Sequence, residues 1–474
     1  MTTPVPSPPF AERAEWRRLL DAHYDLLVVG GGIHGVGVAR DAALRGLRVA
    51  LIERNDWGSG SSSRSSKLIH GGLRYLRQGQ FGLVREALAE RELLLRLAPS
   101  LVSPLRFQVA PPLPGTTPLW QVRAGIGLYG ILSGRLRSSR WWDRAPSYED
   151  AAVEDARFCL AVMLDARRRG ALALSRVEWL EWARSGNRIA GARVRDRLSG
   201  EEGWVSAGAF VNAAGPWADL LLAGRGRASA LRLTRGTHVV LDRAPGDGAR
   251  LFFAPQDGRV LFLLPYGERY SLLGTTDLDE GTPTWEPLPR PEEIRYLQHA
   301  FQHQFPRWAH WRPVGVHCGL RPLLAGEGQP SDLSREERVD LDPSRSLVSI
   351  LGGKYTTYRA AAERAVDLVE EALGRNPGER PTRSVPLPGF EGGDDPGERI
   401  RAAFAGEDAV RLEDVFYRRT ALGHRGRVEE DLLRRAAKLW RLRWGKGERE
   451  AEAEIEAFRA QEMRRADALS SWKG

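Results

Sequence analysis

The pattern of apolar and polar positions changes character along the chain. Residues 11–22 have weak helical spacing, and 25–29 (DLLVV) form a short apolar run entering GGGIHG at 30–35. A helical stretch over about 36–45 stops at Gly46, and RVALIE at 48–53 reads as the next strand. Strand, helix and strand in this short span predict a βαβ unit and a parallel sheet. Residues 57–66 (WGSGSSSRSS) read as a small-residue loop. Apolar residues three and four apart predict a helix over 81–97, closed by Pro99. The Pro-rich 104–118 reads as loop or edge, 124–136 as a buried helix, and 155–169 as a helix. Strand-like pieces lead to WVSAGAFVNAAG, and alternation over 230–280 predicts antiparallel sheet. SLVSILGG enters a helix at 354–373; beyond two linkers, 398–468 is charged and mostly helical.

Composition narrows the class. A chain of 474 residues implies two or three domains, and its 42% hydrophobic content is globular. No apolar run is long enough to predict a membrane span. The first ten residues, MTTPVPSPPF, lack an apolar h-region and read as a loose tail rather than a signal peptide. Two cysteines, Cys159 and Cys318, exclude a disulfide scaffold and a CxxC centre and fit a reducing compartment. No metal is expected. The net charge of +9 comes mostly from Arg spread among acids, without the basic block of a nucleic-acid arm. Lysine is scarce, which draws attention to Lys67 and Lys354 in ordered-looking motifs.

The chemistry begins at Gly30-x-Gly32-x-x-Gly35 between strand and helix. The first glycine permits a tight turn, the second lets backbone approach a pyrophosphate, and the third lets helix pack on strand. Glu53, ending the second strand, is spaced to accept hydrogen bonds from a ribose diol, which favours a dinucleotide over FMN. VNAAGPWA (211–218) and LGGKYTTYR (351–359) bring small residues to strand ends, suited to backbone passing close to a flat cofactor. A Ser-rich loop follows the second strand where an NAD domain would continue its regular winding.

The segment Glu53–Tyr75, with SSKLIHGGLRYL, resembles the FAD-binding and active-site segment of FAD-dependent glycerol-3-phosphate dehydrogenases. The resemblance continues in REALAERELLLRLAP, LYGILSGR, VNAAGPWA, TRGTHVVL, LLGTTDLD, GLRPLL, LGGKYTTYRAAAERA and DVFYRRTALG. It implies a D-amino-acid-oxidase-like fold, α/β plus α+β. A discontinuous Rossmann-like FAD-binding domain (25–225 and 340–375, with cap elements near 100–150) follows a tail at 1–24. An antiparallel-sheet substrate domain (226–339) and a small C-terminal helical domain (376–474) complete it. Two departures stand out: His34 replaces the family's common Asn at the expected pyrophosphate edge, and much of the C-terminal helical domain is missing between about Asp394 and Leu412.

The implied reaction is oxidation of sn-glycerol 3-phosphate to dihydroxyacetone phosphate by hydride transfer to FAD, with electrons passed to a quinone. The cofactor residues are then Gly30, Gly32, Gly35, Glu53, Ser62, Ser66, Lys67, Ala214, Gly215, Gly352 and Gly353. Arg74 and Arg321 are assigned to the phosphate, since Arg captures phosphate bidentately, and Lys354 to the phosphate or substrate oxygens. His70 is the assigned base, an imidazole titrating near neutrality, with Tyr75, His238 and Thr276 orienting the substrate. An oxidase returning electrons to oxygen, a dehydrogenase of another small hydroxy compound, and a non-catalytic flavin protein are the alternatives. The expected setting is cytoplasmic; Trp440, Trp444 and Trp472 among basic residues have two readings, packing of the helical domain onto the body or peripheral contact on the inner face of the membrane. Oligomeric state, a homodimer included, is left open.

Overall fold

A computed structural model describes residues 14–473 except 78, 113–116, 136–138, 144, 223–228, 327, 329–335 and 391–394; the side chains of Arg74 and Arg77 are also outside the description. The apolar run at 25–29 becomes the strand His23–Val29, buried without alternation from Leu26 onward. It pairs in parallel with Val49–Glu53 on one side and Glu202–Asn212 on the other. Continuous burial is what a parallel sheet covered on both faces requires. One cover consists of the helices Ile33–Leu44, Asp155–Arg168 and Tyr358–Ala372. The other is the antiparallel ribbon Val177–Ser185 and Arg188–Asp196 with the helix Ala14–Asp21. That helix corrects the reading of 1–24 as a tail: Trp16 and Leu19 are buried in the core.

Across this sheet the strands run Glu337–Leu341, Leu347–Gly352, Glu202–Asn212, His23–Val29, Val49–Glu53, Leu172–Ser175. The second sheet is the alternating region. Its strand Leu231–Leu241 pairs antiparallel with Pro313–Leu324, Tyr270–Gly274 and Leu278–Glu280. Three strands from earlier in the chain, Leu68–Ile69, Val102–Val109 and Ser147–Val153, extend the same sheet. Much of the stretch 104–118, read as loop or edge, is thus strand through Val109. Pro104 fits there because it lies beside Ser147–Val153, while the strand's other edge is paired only at Phe107–Val109.

Two further readings are corrected. The helix read at 124–136 runs over Leu119–Leu132 and is buried only at Val122, Ile126, Tyr129 and Gly130, leaving Trp120, Leu128 and Ile131 exposed. Of the two readings of the C-terminal tryptophans, the membrane contact gives way to packing. Trp440 joins the C-terminal core with Trp444 beside it, and Trp472 lies against Phe301. Burying such a ring is worth about 1.5–3 kcal/mol, which accounts for them without lipid. The C-terminal helices Pro396–Ala405, Glu430–Trp444 and Glu448–Ala468 share this separate core. Cys159 and Cys318 are free and buried. Among the described residues no helix is long and apolar enough to cross a membrane.

Candidate active site

A cavity of about 720 Å³ opens at the carboxyl ends of the central parallel strands and is closed by a face of the second sheet. This is where an open α/β sheet offers its crevice. The turn after Val29 is as tight as the sequence suggests. Gly30 has φ +112°, and a Cβ on it would lie 2.5 Å from the Ala213 carbonyl oxygen. A Cβ on Gly35 would come within 1.8 Å of the Gly30 carbonyl oxygen, so Gly35 serves helix packing and does not itself line the cavity. The helix that follows presents Gly32, Ile33 and His34 at its N-terminus, an end that favours negative charge. Ser62 Oγ accepts the Ile33 N–H at 2.9 Å and fixes the Ser-rich loop against this turn.

Glu53 lines the cavity and accepts N–H bonds from Gly31 and Asn55, each at 2.7 Å. A carboxylate carries about four acceptor sites, so sites remain for a ribose diol. Burial raises its pKa against the pull of those two bonds. The His34 imidazole also lines the cavity; its buried Nε2 has no hydrogen-bond partner among the described residues. Burial, then Arg364, lowers its pKa to about 4, so it is neutral and able to donate.

Ala214 borders the glycine turn and Gly353 borders His34, and with them Gly215, Gly352, Lys354, His70 and Tyr75 line the cavity. The His70 N–H donates to Thr356 Oγ1 at 3.1 Å, joining the HGG segment to the chain entering the helix Tyr358–Ala372. Lys354 Nζ sits 3.7 Å from the Tyr75 ring centroid, a cation–π contact. From the second sheet come His238 and Arg321. Ser66 Oγ lies 2.9 Å from His238 Nε2. Burial, and then Arg321 and Lys67, hold the His238 pKa well below the ordinary imidazole range. Arg321 donates through Nη1 to the Thr276 carbonyl and to Asp277 Oδ1, both at 3.0 Å, and through Nη2 to Thr275 Oγ1 at 2.8 Å.

Two assignments need revision, and a third falls outside the described side chains. Lys67 does not line the cavity; it takes a left-handed turn (φ +56°), and its ammonium pairs with buried Asp155 at 2.5 Å. Thr276 is also behind the wall, where its hydroxyl accepts the Thr237 N–H and donates to Glu293. The side chain of Arg74 lies outside the described residues; its backbone is in the short helix Leu73–Arg77. Sequence reading missed Gly236, on which the Arg321 guanidinium rests: a Cβ there would lie 2.1 Å from Nη2. It also missed the stacked Trp217 and Trp285 rings, with centroids 3.7 Å apart, both of which line the cavity.

The cavity thus offers a glycine turn with a carboxylate, a buried imidazole nitrogen seeking a partner, and a small-residue wall with the cations Lys354 and Arg321. These fit FAD, whose ribose, pyrophosphate and flat ring need those surroundings in that order. Comparison with known proteins agrees. The profile of the family described as FAD dependent oxidoreductase matches residues 25–340. The chain is 40% identical to glycerol-3-phosphate dehydrogenase 2 of Mycobacterium tuberculosis over 413 residues, covering 81% of this chain and 69% of that one. It is 38% identical to D-erythritol 1-phosphate dehydrogenase of Brucella abortus, with 77% of each chain covered. Among solved structures, a glycerol-3-phosphate dehydrogenase from Bacillus halodurans complexed with FAD has the same fold, with a TM-score of 0.76 at 24% identity over 97% of this chain and 99% of that one. The motifs, the cavity and these matches agree on one descent: the chain belongs to the FAD-dependent oxidoreductases.

Proposed function

We propose that the chain oxidises sn-glycerol 3-phosphate to dihydroxyacetone phosphate. The observation that carries this reading is that Arg321, Lys354, His70 and Tyr75 line one cavity, with Lys354 over the Tyr75 ring. Arg321 and Lys354 hold the phosphate, with Arg74 assigned there from sequence alone. His70 takes the C2 hydroxyl proton, and His238, neutral and bonded to Ser66, orients the substrate oxygens. FAD, when bound, supplies the hydride acceptor for the C2 hydrogen. The Brucella relative supports a second reading, in which a longer polyol phosphate enters the same site. Steady-state kinetics separate the two, using sn-glycerol 3-phosphate, D-erythritol 1-phosphate, glycerol and lactate. The first reading requires the highest kcat/KM with sn-glycerol 3-phosphate; glycerol turning over equally well would remove the phosphate site from the account.

The electron acceptor on this reading is a quinone reached at a lipid surface. The exposed apolar stripe on Leu119–Leu132 supports it: Trp120, Ala124, Leu128 and Ile131 fall on one helical face, and Trp142 is exposed nearby in sequence. An exposed patch of this kind marks a contact surface, and Trp suits the headgroup level. Oxygen uptake during turnover without added quinone would instead identify an oxidase.

A further inference from the structure

The motif DVFYRRTALG, at 414–423, takes no part in the cavity, yet its charged residues are buried. Asp56 stands three residues beyond Glu53 and is 1% exposed. It accepts Arg419 Nη1 at 2.5 Å and Nη2 at 2.8 Å, and also Arg418 Nε. Arg419 is itself anchored to the Glu407 carbonyl at 2.6 Å. The next residue, Trp57, is equally buried and donates its indole N–H to Asp408 at 3.2 Å. Its ring lies against the glycine turn, since a Cβ on Gly31 would meet Trp57 Cε3 at 2.6 Å and Glu53 Cβ at 2.7 Å. The Gly58 N–H closes the arrangement on the Gly31 carbonyl at 2.9 Å.

We propose that the C-terminal segment Glu407–Arg419 positions the adenosine end of FAD: Arg419 and Asp408 grip Asp56 and Trp57 and thereby fix Glu53 against the glycine turn. These are positioning residues, since neither Arg419 nor Asp408 lines the cavity. A second tie supports the same hold. Arg176, whose N–H bonds the Asn55 carbonyl at 3.0 Å, pairs with Asp414 at 2.6 Å. Asp56 and Asp414 each take two arginines of the group, so the segment is a brace tied to the 53–58 loop by several charge-assisted bonds. The proposal rests on the reading that the ribose of FAD meets Glu53.

The test uses the full-length protein stripped of flavin, with FAD binding read by fluorescence quenching and ADP binding by competition. ADP carries the adenosine end without the flavin. For Arg419→Met the account expects both dissociation constants to rise together by about tenfold, the scale of one charge-assisted hydrogen bond. Asp408→Asn should raise both by a smaller common factor, and Arg419→Lys should restore part of the loss. Unchanged constants in natively folded Arg419→Met and Asp408→Asn would overturn the proposal, as would weakened FAD with unchanged ADP. Should Arg419→Met fail to fold, Asp408→Asn decides, because its carboxylate is partly exposed. Glu53→Gln is the parallel arm: if it weakens FAD while the C-terminal variants do not, the brace alone falls. If Glu53→Gln leaves FAD unaffected, the ribose reading falls and the brace falls with it.

Discussion

Arg321 owes its geometry to neighbours that hold its guanidinium from behind. Asp277, Thr275 and the Thr276 carbonyl take three of its five N–H donors, and Gly236 leaves the space it fills. Arg321→Ala removes a charge-assisted contact to phosphate, about 1.5–3 kcal/mol, and should cost roughly ten- to hundredfold in kcat/KM for the phosphorylated substrate. Glycerol, which has no phosphate, should be slow with wild type and barely slower with the variant; equal losses for both would make Arg321 scaffold. Gly236→Ala is a finer probe. The atoms its methyl would meet are the far end of a flexible side chain, so the fold can adapt while Arg321 cannot stay. KM for the phosphorylated substrate should rise with FAD content unchanged, and an unaltered KM would contradict the close approach. Arg321 was legible in GLRPLL, whereas Gly236 was not, because only the folded pairing of Leu231–Leu241 with Pro313–Leu324 brings the two together.

At the scale of elements, local signals were legible and nonlocal ones were not. The strand–turn–helix around Gly30 and the helix Phe81–Leu97 follow from periodicity and turn chemistry that act within a few residues. The strand Val102–Val109 was read only as loop or edge, because the prolines of 104–118 leave the two open and its partner strands lie far along the chain. The helix Leu119–Leu132 was found but placed inside, since an all-apolar run does not say which face meets a neighbour. Its exposed stripe carries a prediction. Wild type should float with lipid vesicles, and Trp120→Gln combined with Ile131→Gln should abolish flotation while leaving glycerol 3-phosphate oxidation with a soluble dye intact. A double variant that floats as well as wild type would move the lipid contact elsewhere.

For the whole molecule, folding leaves imidazoles neutral at the join between the second sheet and the C-terminal helices. His238 stacks on His317 at 4.8 Å, and His424 meets His317 at 5.3 Å. Burial, then His238 and His424, lower the His317 pKa well below the ordinary value of 6.5. The unfolded chain therefore binds a proton there at a pH where the folded chain does not. His317's contribution to stability is present above about pH 6.5 and is lost as pH falls, at about 1.4 kcal/mol per unit below that point. Urea unfolding at pH 7.5 and pH 5.5 should show His317→Phe losing less stability than wild type over this interval. Parallel pH slopes would mean that the imidazole is charged in the folded protein.

The central claim is that these parts make one FAD-dependent oxidation of a phosphorylated glycerol. Its most direct test is anaerobic spectroscopy of the purified yellow protein. Stoichiometric sn-glycerol 3-phosphate should bleach the flavin absorbance, and glycerol and lactate at the same concentration should leave it unchanged. A flavin that stays oxidised with sn-glycerol 3-phosphate, or that bleaches equally with glycerol, would contradict the account.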